Sequence, residues 1–180
     1  MSLVREMESA LGGQPVRVKR HYGEWEPLDG IVTSVSSAWS VLAVLNDGYL
    51  DGYAVVRTSD ISEVESYCAD TFIIKAYELE RPPDTILFSS VADDLERLIA
   101  EVSQVAPLVS FYREAVDPDD LLVGIPEFTT KDEVVLTEVG ADANLGEKAG
   151  LVLKNNDVSR LEFGGRYLRR LAEIVLPEAR

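Results

Sequence analysis

One stretch of this 180-residue chain returns. Residues 51–65 read Asp-Gly-Tyr-Ala-Val-Val-Arg-Thr-Ser-Asp-Ile-Ser-Glu-Val-Glu, and residues 149–162 echo them as Ala-Gly-Leu-Val-Leu-Lys-Asn-Asn-Asp-Val-Ser-Arg-Leu-Glu. At an offset of about 97 residues the echo matches Val55 with Val152, Val56 with Leu153, Arg57 with Lys154 and Asp60 with Asp157. It continues through Ile61 with Val158, Ser62 with Ser159, Val64 with Leu161 and Glu65 with Glu162. A β-rich unit written twice in a chain of this length predicts two small domains rather than one large one.

The chain contains material for two cores, with 46% apolar and 27% charged residues. Its formal net charge of −15 and pI near 4.4 disfavour a generic binder of nucleic acid or anionic membrane, because both need a positive face. Cys68 is the single cysteine, which removes a disulfide framework and a cysteine-based zinc cluster. No stretch has the apolar length of a signal core or a spanning helix. The expectation is a cytoplasmic protein with no membrane partner.

In chain order, Leu3, Val4, Met7 and Leu11 fall at helical spacing and Gly12-Gly13 stops the helix. Residues 15–22 alternate, with Val16 and Val18 on one face, Arg17, Lys19 and His21 on the other, and Arg20 breaking the pattern. Apolar runs at 30–35, 41–45, 53–57 and 61–65 read as strands, and Asn46-Asp47-Gly48 is a turn signal. Residues 71–77, with Phe72-Ile73-Ile74, read as the closing strand of the first unit. Pro82-Pro83 marks the boundary, since neither residue donates to a ladder. A helix follows over 90–105, with Ser90 as its cap and Val91, Leu95, Leu98, Ile99 and Val102 as its stripe. Strand-like runs at 108–116, 121–125, 134–139, 151–154 and 158–163 repeat the first unit's order, and Tyr167, Leu168, Leu171, Ile174 and Val175 predict a terminal helix. The second unit either exchanges its closing strand for that helix or closes with 108–116.

This arrangement resembles the Sm-like fold of Sm and Hfq-type proteins, a bent five-stranded barrel of the SH3 type, over roughly residues 3–80 and 108–162. The segment from Tyr53 through Arg57 and Asp60 to Ile61 is similar to the family's second signature, with Thr58 where the family has glycine. The run at 36–44, where RNA-binding members place Asp and Asn, holds serines and Trp39. The resemblance implies a mainly β chain with helices. It implies two five-stranded barrels in tandem: 1–80 with an N-terminal helix, a helical linker over 81–106, and 107–180 with a C-terminal helix. It also implies assembly into rings.

No motif for an enzyme or a cofactor is present. His21 stands alone, so a histidine metal site or a Ser-His-acid triad has only one histidine to use, and a solvent-facing strand residue is the simpler reading. Cys68 reads as a packed or loop thiol, and the carboxylates at 47–51 and 117–120 read as turn chemistry rather than a calcium loop. Arg17, Lys19 and Arg20, with Tyr22 and Trp25, form the densest basic and aromatic cluster. With Trp39 and Arg57 they are the candidate residues for binding a partner or RNA. Arg166, Arg169 and Arg170 fall near one face of the last helix, suited to its negative end or to an acidic partner. The expected function is a non-enzymatic binding or scaffold protein, a protein-interaction module, with RNA binding as the alternative. Its expected partners are further copies of itself, covering the edge at Phe72-Ile73-Ile74, or another protein.

Overall fold

The computed structural model describes residues 3–22, 26–79 and 92–176, and it divides into two compact units, 1–93 and 94–180. The first unit opens with α1 (Leu3–Ser9), then β1 (Val16–Arg20), β2 (Leu28–Val35), β3 (Trp39–Asn46) and β4 (Tyr49–Arg57). A one-turn 3-10 helix (Thr58–Asp60) leads into β5 (Ile61–Ser66), and α2 (Phe72–Leu79) follows. The second unit begins with α3 (Leu95–Ser103) and β6 (Val109–Tyr112), followed by β7 (Leu121–Thr129), β8 (Glu133–Glu138) and β9 (Leu151–Lys154). A second 3-10 helix (Asn155–Asp157) leads into β10 (Arg160–Phe163), and α4 (Arg166–Val175) completes the described residues.

Within the first unit the strand order is β5-β1-β2-β3-β4, and within the second it is β10-β6-β7-β8-β9, all neighbours antiparallel. These sheets are open, which overturns the expectation of two closed SH3-type or Sm-like barrels joined by a linker helix. Closure would need a ladder between β4 and β5, and none is formed. The 3-10 helix between them turns the chain away from β4, and β5 spends its paired edge on β1, from Val16↔Ser66 to Arg20↔Ile61. In the second unit β10 pairs with β6 in the same way, from Arg160↔Tyr112 to Phe163↔Val109. Of the two alternatives for that unit, the strand within 108–116 takes the place beside β10.

Alternation gives each unit its own core. Val16 and Val18 point inward from β1, and with Met7, Leu28, Val32, Leu42, Ala54, Val56 and Ile61 they exclude water beneath α1. In the second unit Leu108, Val123 and Val139 pack against Leu168, Leu171 and Ala172 of α4. Fully burying one such side chain stabilises by about 1.5–3 kcal/mol relative to leaving it exposed. The tight β3–β4 turn forms as its residues require, with Asp47 and Gly48 both at positive φ (51° and 83°). A Cβ on Gly48 would stand 2.8 Å from that of Ala76, so the turn also seats α2.

Two further expectations are corrected. Residues 72–79 are helical, not a closing strand: Lys75, Ala76, Glu78 and Leu79 are good helix formers, and Ile74 is the helix's one fully buried residue. The exposed apolar strand edge on which self-association rested is therefore absent. Helix α3 belongs to the second unit rather than to a linker, and Asp94 caps it, its carboxylate accepting from the Arg97 amide at 2.8 Å. Leu95, Leu98, Ile99 and Val102 form its buried stripe, as the periodicity predicts. Pro82-Pro83, Ser90 and Val91 lie outside the described residues.

Candidate interaction site: a corner built twice

The echo in the sequence marks a corner that each unit builds from the same bonds. In the first unit the turn between β2 and β3 is closed by the Ser36 amide donating to the Trp39 carbonyl at 2.8 Å. The Ser36 hydroxyl accepts from the amides of Ala38 (3.3 Å) and Trp39 (3.0 Å). In the second unit Thr130 repeats each bond: its amide donates to the Glu133 carbonyl at 2.8 Å, and its hydroxyl accepts from Asp132 (3.3 Å) and Glu133 (3.1 Å).

The 3-10 helix then docks on this turn. Thr58 donates its amide to the Ala38 carbonyl and Asn155 donates its amide to the Asp132 carbonyl, both at 2.9 Å. Side chains complete the junction differently. The buried Thr58 hydroxyl donates to the Ser36 carbonyl at 3.1 Å and lies 2.9 Å from the Ser40 hydroxyl. The buried Asn155 amide donates to the carbonyls of Thr130 (2.8 Å) and Lys131 (2.9 Å). Each hydroxyl or amide thus satisfies carbonyls that the bend withdraws from the ladder.

The first corner carries three more features. Trp39 is 1% exposed, and the Arg57 guanidinium sits 4.6 Å from its ring centre, a cation–π contact between ladder partners. Burial lowers the Arg57 pKa, with Asp60 opposing that shift. Asp93 accepts from the Ser37 hydroxyl at 2.9 Å and the Ala38 amide at 3.2 Å, and these bonds, with the Ser37 hydroxyl first, hold its carboxyl below the usual range. In the second corner Glu133 and Lys154 are ladder partners where Trp39 and Arg57 stand in the first.

The basic cluster read from the sequence is divided by the strand's alternation. Arg17 and Lys19 share the outer side of β1, while Arg20 points inward and is 2% exposed. Arg17 makes a bidentate pair with Asp29 (2.8 and 2.9 Å), and Tyr67 donates its hydroxyl to the same carboxylate. That hydrogen bond to Asp29 raises the Arg17 pKa, and burial, with Asp29 second, raises that of Tyr67. Lys19 meets Glu63 at 3.0 Å and Glu65 at 2.6 Å. Tyr22 is exposed, and Trp25 lies outside the described residues. The structure therefore brings Trp39 and Arg57 together, keeps Arg17 and Lys19 on one face already neutralised, and turns Arg20 away from them.

Other candidates have structural partners. Asp117 accepts from the Asp119 amide at 3.1 Å, and Asp120 receives the Arg113 guanidinium, Nε at 2.6 Å, so the 117–120 carboxylates are turn chemistry. His21 is exposed, its amide donating to the Asp60 carbonyl at 2.8 Å, and Cys68 is exposed. A groove of about 310 Å³ between α1 and the β1–β5 ladder is lined by Glu6, Ser9, Ala10, Gln14, Val64 and Ser66. Another of about 270 Å³, between α3 and β7, is lined mainly by Glu96, Ile99, Ala100, Pro126 and Phe128.

Sequence reasoning missed a buried charged network in the second unit. The Arg160 guanidinium is 4% exposed, lies 3.4 Å from both Glu114 and Glu162, and covers the Tyr112 ring at 3.7 Å. Glu114 also accepts from the Ser159 hydroxyl at 2.9 Å, and Tyr112 donates to Glu162 at 2.9 Å. Alternation gave no signal for it: residues 158–161 are buried in succession, and Arg160 lies on the strand face opposite Leu161 and Phe163 yet is covered.

Among the described residues no helix is long and apolar enough to cross a membrane, and no group of three or more His, Cys, Asp or Glu is placed to hold a metal ion. No protein-family model, curated protein or solved structure matches the chain.

Proposed function

We propose that this chain is a non-enzymatic binding or scaffold protein whose partners are proteins, another chain or a further copy of its own. The observation that carries this reading is where its aromatic and apolar side chains lie. The corner consumes its own polar groups, while large apolar side chains stand outward in neighbouring pairs. Phe72 is 68% exposed and lies against Gly48 of the β3–β4 turn, and Tyr49, the next residue in the chain, is 51% exposed. In the second unit Phe128 and Val152, more than half exposed, are ladder partners of the same residue, Val135, from either side. Adjacent exposed apolar groups are the common mark of protein contact surfaces.

The same geometry weighs against RNA. Arg17 and Lys19 already face carboxylates, and the buried Trp39 is covered by Arg57, so neither a free cationic track nor a stacking platform forms from them. The test is affinity capture from the native cell with and without nuclease, paired with light scattering on the purified chain. Protein partners that survive nuclease, or a mass above one chain, support the reading. Sub-micromolar binding of uridine-rich RNA that Arg57→Ala weakens overturns it.

A further inference from the structure

Helix α4 breaks a local rule. Its N-cap is Gly165, which offers no side-chain bond, its first turn holds no acid, and Arg166, Arg169 and Arg170 occupy its N-terminal half. That end of a helix carries partial positive charge, so stability calls for carboxylates there and arginines work against it. The sequence expectation that these arginines serve the helix's negative end is not met. Residues placed against local stability point to a use beyond it.

The rest of the helix is amphipathic in the ordinary way. Leu168, Leu171 and Ala172 bury into the second core, while Arg166, Tyr167, Arg169, Arg170, Glu173 and Ile174 all face solvent. Tyr167, Arg170 and Ile174 follow one another at helical spacing along about 10 Å of axis, with Tyr167 60% and Ile174 59% exposed. Arg170 pairs with Glu173 at 2.6 Å, and the side chain of Arg169 pairs with none of the described residues.

We propose that the outer face of α4 docks an acidic protein segment whose carboxylates flank an apolar side chain. The guanidinium groups match carboxylates in planar, bidentate fashion, and Tyr167 and Ile174 bracket them with apolar surface. Charge complementarity selects this occupant. A long polyanion meets the field of a chain of net charge −15, whereas a short acidic segment meets mainly the local arginines within a Debye length. Glu173 is an internal competitor that an incoming carboxylate displaces from Arg170. The inference rests on the protein-interaction reading and names its surface and partner class.

Fluorescence anisotropy with a labelled peptide of alternating glutamate and leucine, and with an oligouridylate of equal length, tests it on the full chain at low and physiological salt. Peptide binding that weakens with salt, falls at least about tenfold in the combined Arg166→Glu, Arg169→Glu, Arg170→Glu variant and tightens about threefold in Glu173→Gln is the expected result. Arg169→Glu alone changes a side chain that pairs with none of the described residues and puts acid in the N-terminal half of the helix, so its thermal midpoint holds while binding weakens, which separates docking from folding. No salt-sensitive peptide binding, binding unchanged by the charge reversal, or tighter binding of the oligouridylate overturns the proposal. Cellular protein partners that survive nuclease and are retained by the triple variant would remove α4 while leaving the interaction reading in place.

Discussion

The two corners use one backbone scheme and two side-chain chemistries. In the first, hydroxyls from Ser36, Ser40 and Thr58 meet at the bend, with Asp93 tying the turn from outside. In the second, the single amide of Asn155 reaches two carbonyls, and Thr130 alone supplies the hydroxyl of the turn. The bend imposes only that a donor reach the withdrawn carbonyls. Which donor does so is left to each unit.

The buried arginines differ in a parallel way. Across the β1–β5 ladder Arg20 stands opposite Ile61, and across the corresponding β6–β10 ladder Tyr112 stands opposite Arg160. The guanidinium has changed strands while keeping its place at the end of the ladder. In the second unit it is set between two glutamates, so that unit's ladder end depends on charge pairing.

The largest expected effect tests that dependence. Arg160→Met leaves Glu114, 6% exposed, without its countercharge and is expected to destabilise the chain by about 3–5 kcal/mol in urea unfolding followed by circular dichroism. Combining it with Glu114→Gln should recover part of the loss. A change below about 1 kcal/mol would mean that the second unit does not lean on this pair.

Next come the corner donors. Asn155→Ala strips two carbonyls of their donor and is expected to cost about 2 kcal/mol. Thr58→Val removes one donor from a site where Ser40 remains, and about 1 kcal/mol is expected. Equal losses would erase the distinction between an amide that bridges and a hydroxyl that shares. Near-ultraviolet circular dichroism of Trp39 offers a second readout for the first corner, since that ring is buried beside it.

The smallest effect is acid sensitivity. Asp93 has a lowered folded pKa through the hydroxyls of Ser37 and Ser36 and the amide of Ala38, and Glu65 has one chiefly through Lys19. A carboxyl with a depressed folded pKa contributes stability that is complete above its unfolded pKa, near 4, and is lost as pH falls through the folded one. Denaturation midpoints should therefore fall with pH below about 5, and Asp93→Asn should flatten that fall. Lys131 stands where Ser37 does, so the second corner has no equivalent of this bond to lose. A profile unaltered by Asp93→Asn would show that the carboxylate does not tie the turn.

Much of this chain was written locally. Apolar runs, with alternation at 15–22, located most of the strands, Asn46-Asp47-Gly48 marked a turn, and apolar spacing specified α3 and α4, because these depend on residues within a few positions of each other. The echo located both 3-10 helices at its own offset, Thr58–Asp60 and Asn155–Asp157. It did not reach the turns on which they dock, where Ser36 and Thr130 share chemistry without sharing a letter, and where the differing β3–β4 and β8–β9 connections shift the spacing.

Tertiary structure decided the rest. Whether residues 72–79 extend or coil was decided by having one buried position, Ile74, rather than a strand's apolar face. Whether a five-stranded sheet closes depends on ladders between residues far apart in sequence, and composition carries no record of them. The candidate site was least legible of all. Arg17, Lys19 and Trp39 read as available until partners on other strands, Asp29, Glu63, Glu65 and Arg57, were brought against them. Sequence fixes which charges and rings a chain possesses, but their availability depends on distances of a few ångströms across the sheet, and only the folded chain sets those.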